Sequence, residues 1–165
     1  MNPKVDREPR PGDILVFVRP HRLLDYVIKL LTSSRYYHVA LWSGDGQVIE
    51  ARPKGVMFNG LDGREGGYIV VPAPEGRGEE ALAWAKTQIG ARFDRMNMLI
   101  VLLEHLFIRV RLNRVPSGKY SCGEFVATAF DHAGVRVFTD RDLDDVEPKD
   151  FARLLESADY VKMRI

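Results

Sequence analysis

Tyr37-His38-Val39-Ala40-Leu41-Trp42-Ser43-Gly44-Asp45-Gly46-Gln47-Val48-Ile49-Glu50-Ala51 reads as a β-hairpin. Two runs rich in β-branched and aromatic residues flank a Ser-Gly-Asp-Gly cluster of the kind a tight turn demands. Placing the loop at Gly44-Asp45-Gly46, with Gly46 in the left-handed position of a bulged turn, sets Ser43 opposite Gln47 and Leu41 opposite Ile49. Ala40 then faces Glu50, and His38 faces Arg52. Val39, Leu41, Ile49 and Ala51 share one apolar face; His38, Ala40, Trp42, Val48 and Glu50 share the other. In this register His38 and Glu50 are diagonal neighbours, within reach of long side chains. A two-residue loop at Asp45-Gly46 would put them on opposite faces, so the bulged turn is expected.

Working outward, Ile14 to Val18 is an apolar run and predicts a buried strand after the Pro11-Gly12-Asp13 turn. His21 to Leu31 carries leucines and Val27 at helical spacing, which predicts an amphipathic helix. Gly55 to Gly67 is loop-like, with a short strand near Val56–Phe58, and Tyr68 to Val71 is a further strand. Glu79 to Ile89 predicts a helix that Gly90 terminates. Asp94 caps a second helix running to about Val110. Ser121 opens a third that ends near Gly134, Val135 to Phe138 reads as a short strand, and Pro148 sits at the first position of a helix through Leu155. Tyr160 to Ile165 reads as a closing strand. This mixed order predicts an α+β fold with a mostly antiparallel sheet packed against helices.

The 165 residues fit one domain, residues 11–165, preceded by a flexible arm at residues 1–10. With 24 basic and 23 acidic residues the net charge is +1, which gives no reason to expect nucleic acid as a partner. Met1 to Arg10 is polar, with no secretory h-region. The longest apolar stretch, Met96 to Ile108, includes Asn97, Glu104 and His105 and is too short to span a bilayer. That stretch is apolar on most sides of a helix; it predicts a buried helix, or else a lipid-binding wall or apolar contact surface. No transmembrane segment is expected, and the location expected is cytoplasmic or phage-delivered.

The single cysteine, Cys122, excludes an intramolecular disulfide. It lies in Tyr120-Ser121-Cys122-Gly123-Glu124-Phe125-Val126, where Ser121 and Glu124 have capping-box spacing. Cys122 is then in the first turn of a helix, where free amide N–H groups and the helix dipole favour a thiolate and stabilise an oxyanion. Gly123, without a side chain, is expected to let a substrate approach. The bland alternative is a buried cysteine beneath a helix cap, with Glu124 as that cap. A nucleophilic thiol needs an imidazole base held in one tautomer by a third group. Of His21, His38, His105 and His132, His38 alone lies in a hairpin with an acidic residue on the partner strand. Its bland alternative is a half-buried strand histidine, with Glu50 a solvated edge residue; the other three histidines read as helix residues, His132 near a helix end where it can cap carbonyls.

Pro11-Gly12-Asp13-Ile14-Leu15, His38-Val39-Ala40-Leu41-Trp42 with Val48-Ile49-Glu50-Ala51, and Tyr120-Ser121-Cys122-Gly123-Glu124-Phe125-Val126 together resemble the permuted NlpC-type papain-like cysteine peptidases and amidases, the YiiX-like group. Ala91-Arg92-Phe93-Asp94 and Glu147-Pro148-Lys149-Asp150-Phe151 are similar to that group's later motifs. The resemblance spans nearly the whole chain and rests on the order and spacing of short motifs. It implies a circularly permuted papain-like fold, with the histidine strand before the cysteine helix. It implies Cys122 as nucleophile, His38 as base and Glu50 as orienter. Gly123 departs from the pattern, a serine being commoner there.

The chemistry so implied is acyl transfer through a thioester. His38 takes the thiol proton or pairs with a pre-formed thiolate, and the oxyanion rests on the Cys122 N–H and a nearby tyrosine, Tyr37 or Tyr120. Trp42 and Gly123 are further substrate-contact candidates. No metal-ligand spacing is present and no cofactor is expected. The expected substrate is a peptide amide of the bacterial cell wall. The alternatives are a lipid amide or ester, as in the lecithin retinol acyltransferase-like enzymes, or a non-catalytic binding or phage structural module. Carboxylate-binding arginines, Arg35 or Arg52, would favour peptides.

Overall fold

The computed structural model describes residues 7–20, 23, 25–26, 34–61, 63–64, 67–94 and 119–156. The expected helix over Asp94–Val110, with its Met96–Ile108 stretch, and the closing strand Tyr160–Ile165 lie outside these residues apart from Asp94. So does most of the helix over His21–Leu31, of which Leu23, Asp25 and Tyr26 are described and helical.

The hairpin forms, with β2 at His38–Gly44 and β3 at Gln47–Arg52. Its turn differs from the expected one. Gly44 pairs with Gln47 around a two-residue turn, and a bulge between Trp42 and Gly44 absorbs Ser43. Asp45 and Gly46 take φ of 50° and 72°, the positive pair such a turn requires. The extra residue restores the expected register, Leu41 opposite Ile49, because an unpaired residue in one strand reverses the face change a shorter loop would cause.

Three strands complete the sheet: β1 at Ile14–Phe17, β4 at Gly55–Gly60 and β5 at Tyr68–Val71. The order is β4-β3-β2-β1-β5, with every neighbouring pair antiparallel. Among the described residues three helices join it, α1 at Gly78–Thr87, α2 at Cys122–His132 and α3 at Pro148–Leu154, so the fold is α+β. Helix α1 ends two residues before Ile89, and Gly90 follows at φ 91°. A short parallel pair, β6 at Arg92–Phe93 and β7 at Lys119–Tyr120, was not legible in the sequence. Val135 to Phe138 forms no strand. It returns from the end of α2 with Val135 N–H on Phe130 O at 2.9 Å, and buries Val135 and Phe138 without a sheet neighbour.

Alternation divides the core as the hairpin pattern implies. Ile14, Val16, Val39, Leu41, Ile49, Ala51 and Val71 face the helices, meeting Ala81, Leu82 and Ala85 of α1, Phe125 and Phe130 of α2 and Phe151 of α3. Each fully buried phenylalanine contributes about 3 kcal/mol through apolar burial. Leu15, Phe17, Tyr37, Ala40, Val48, Leu61 and Val70 form a second cluster on the other face. The two layers meet closely at Gly12, where a side-chain carbon would lie 2.1 Å from Gly78 O at the start of α1. Residues 7–10 fold back onto the turn before β1: Asp13 Oδ2 accepts from Arg10 N–H at 2.7 Å and pairs with Arg7 Nη2 at 2.7 Å.

Candidate active site

Glu50 projects from the middle of β3, 1% exposed, and four groups converge on its carboxylate. His38 Nε2 lies 2.5 Å from Oε2, and Arg64 Nη1 donates to the same oxygen at 3.0 Å. Asn59 Nδ2 donates to Oε1 at 2.9 Å, and Arg52 Nε stands 3.3 Å from Oε1. Arg52 is close enough to pair with Glu50 but is not aligned to bond it: its Nε has no hydrogen-bond partner, while its Nη1 donates to buried Asp25 at 3.0 Å. Bringing a carboxylate out of water costs several kcal/mol, and burial alone would raise the Glu50 pKa. Contact with His38, then the charges of Arg52 and Arg64, outweigh it and hold the carboxyl well below the usual range.

His38 opens β2, 5% exposed, with its ring 5.6 Å from that of Phe17 and stacked near Tyr37. Burial, then the charge of Arg52, lower its pKa against the opposing pull of Glu50. Nε2 faces Glu50, and Nδ1 is the nitrogen Glu50 does not occupy.

Cys122 begins α2, as the capping signature predicts. Ser121 Oγ accepts from Glu124 N–H at 3.2 Å, and the Glu124 carboxylate accepts from Ser121 N–H at 3.2 Å. Cys122 packs against the apolar layer between the sheet and the helices. The register between β2 and β3 runs Gly44–Gln47, Trp42–Val48 and Leu41–Ile49; the expected pairs Ala40–Glu50 and His38–Arg52 are not among its rungs. Val39 N–H, on the strand that carries His38, is one of the backbone groups that favour the Cys122 anion.

Burial opposes the thiolate that a helix start favours. It pushes the Cys122 thiol up to about 11, although the N–H groups of Val39, Gly123 and Cys122 and the charge of Arg52 all favour the anion.

The structure joins His38 and Glu50 in a hydrogen-bonded pair and puts Cys122 at the start of α2, which packs on β2 and β3; the other candidates are engaged elsewhere. The Tyr37 hydroxyl donates to Arg19 O at 2.9 Å, and burial, then Asp25, raise its pKa to about 12. The Tyr120 hydroxyl donates to Gln88 Oε1 at 3.1 Å, its ring edge-on to Trp84 and Phe125. Both tyrosines are thereby committed away from an oxyanion. Trp42 shares the His38 face but stands four residues along β2, about 13 Å away at the rise of a strand, packed on the second cluster. Gly123 does not open a path for substrate: a side-chain carbon there would lie 2.0 Å from Val146 O. Arg52 is buried and paired rather than available to a substrate carboxylate, and Arg35 is exposed over the Tyr36 ring. His132 stacks on Trp84, ring centroids 4.7 Å apart.

Asn59, Arg64 and Asp25 are the participants that the sequence reading missed; Arg52, expected to meet a substrate carboxylate, instead serves Glu50 and Asp25. Asn59 was within reach, because β4 pairs Met57 with Glu50 and Asn59 with Val48, which puts Asn59 on the Glu50 face. Arg64 comes from a loop without periodicity. Among the described residues, the carboxylates with metal-like spacing are Asp142, Asp144 and Asp145, whose oxygens lie within 4.8 Å of one another at a 3-10 turn. Among the described residues no helix is long and apolar enough to cross a membrane. In comparison with known proteins, no family model and no curated protein matches this chain.

Proposed function

We propose that this chain is a cysteine hydrolase, an amidase or endopeptidase of circularly permuted papain-like build, acting through Cys122, His38 and Glu50. The observation that carries the reading is the buried His38–Glu50 contact at 2.5 Å, together with a cysteine at the start of the helix that packs on the same strands. A carboxylate kept ionised by two arginines is suited to hold one imidazole nitrogen and leave the other for a base. The order of the chain, histidine strand before cysteine helix, supports the permuted arrangement.

Burial opposes the charged form of both groups, so His38 acts as general base rather than as half of a standing ion pair. Nδ1 takes the thiol proton as Sγ attacks the substrate carbonyl, so that the S–C bond and the imidazolium form together. Glu50, still ionised, stabilises that imidazolium through Nε2–H. Backbone N–H groups at the start of α2 stabilise the oxyanion. Collapse of the tetrahedral species breaks the bond to the leaving amine, which takes its proton from His38. Water, deprotonated by the same imidazole, cleaves the thioester. The preferred substrates are peptide amides of the bacterial cell wall.

The test is stoichiometric acylation by an activated ester, followed by mass spectrometry of the Cys122 peptide and then digestion of wall peptides. The expected result is a burst confined to Cys122, slowed about 10²- to 10⁴-fold in His38→Ala, with amide cleavage in wall peptides. Acylation by phospholipid vesicles without peptide cleavage would move the substrate to lipids. An inert thiol toward every acyl donor would leave a binding module.

A further inference from the structure

Glu50 Oε2 receives two donors, His38 Nε2 and Arg64 Nη1. Arg64 is 7% exposed, and its second terminal nitrogen donates to Gly60 O at 2.7 Å while its guanidinium lies 4.8 Å from the centre of the Phe17 ring. Phe17 in turn packs against the His38 ring. One arginine thus touches the carboxylate, the strand end beside it and the aromatic wall of the imidazole. We propose that Arg64 is the positioning residue of the Glu50–His38 pair, its planar fork fixing the carboxylate so that Nε2 keeps its proton and Nδ1 remains the base.

The physical reason lies in the shared oxygen. A proton passing from Nε2 to Oε2 would neutralise the carboxylate directly beneath the Arg64 N–H, leaving a buried guanidinium charge without its anion. That cost keeps the proton on nitrogen. Asn59 does not substitute, since it is neutral and bonds Oε1; nor does Arg52, whose hydrogen bond goes to Asp25. The charged and titratable groups around His38 are Glu50 and Arg52 from β3, Arg64 from the loop after β4, Tyr37 beside it and Asp25 behind Arg52, with Cys122 on α2.

The inference rests on His38 being the base, and its test needs no substrate. Ring-labelled histidine is followed by NMR across pH in wild type, Arg64→Gln, Arg64→Lys and Asn59→Ala, with thermal melts to confirm folding. The His38 signal is identified by its loss in His38→Gln. The expected wild type shows one tautomer, protonated at Nε2, titrating below the ordinary imidazole range. Arg64→Gln raises the midpoint by about one pH unit, because a positive neighbour is lost, and mixes the tautomers. Arg64→Lys restores the midpoint but not the pure tautomer, since an ammonium lacks the fork. Asn59→Ala leaves the midpoint in place.

A folded Arg64→Gln with wild-type midpoint and tautomer overturns the proposal. Should that variant not fold, Arg64→Lys carries the test, and an unchanged tautomer there overturns it. A labelled imidazole that responds as expected, in a protein whose Cys122 never acylates, would end the hydrolase reading and leave the positioning by Arg64 standing.

Discussion

Gly123 shows how a departure from a family pattern is settled by packing. Its missing side chain makes room for the Val146 carbonyl, which comes within 2.0 Å of where a Cβ would sit. Gly123→Ser, the residue commoner in the resembling group, is expected to cost about 3 kcal/mol and to lower the melting temperature by about 8 °C in a calorimetric scan. A substrate-access role would instead leave stability intact and change only turnover. At this scale legibility followed the range of the contact. Cys122 announced itself through the Ser121–Glu124 box, and the His38–Glu50 pair through hairpin alternation. Arg64 and Asp25 carry no local signal, because Arg64 reaches Glu50 from a loop and Asp25 reaches Arg52 across 27 positions of sequence. The tyrosines misled for the same reason: nothing near Tyr37 in sequence says that its hydroxyl is spent on Arg19 O.

The elements that place Cys122, His38 and Glu50 depend on two small devices, the bulge at Ser43 and the cap at Ser121. The expected register of the hairpin is right although its loop is not, because a two-residue turn plus one bulged residue gives the same alternation as a three-residue turn. Hydrophobic patterning constrains the strands and leaves the turn free. It also misplaced Val135–Phe138, where apolar residues pack at a helix end rather than in a sheet. Ser121→Ala removes the hydroxyl that accepts from Glu124 N–H and frees the reciprocal bond. The expected loss is about 1 kcal/mol in denaturant unfolding. Burst acylation should fall further than that loss alone implies, because the first turn of α2 aims the thiol.

For the whole molecule, the buried titrating groups define a pH window. Burial first, then Arg52, lower the folded pKa of His38 below its ordinary 6.5, so its contribution is fully present above that pH and is lost as pH falls. Burial raises Cys122 from 9.0 to about 11; its contribution is complete below pH 9 and is lost as pH rises toward 11. Tyr37, raised by burial from 10.0 to about 12, adds a later alkaline loss. Denaturant titration across pH should show stability declining from about pH 9, and Cys122→Ala should recover about 2 kcal/mol of that decline. The two faces of the sheet belong to this scale as well. The sheet is a partition with separate apolar stores on its two sides, Cys122 packed with the helical side and the His38 ring against Phe17 and Tyr37 of the other.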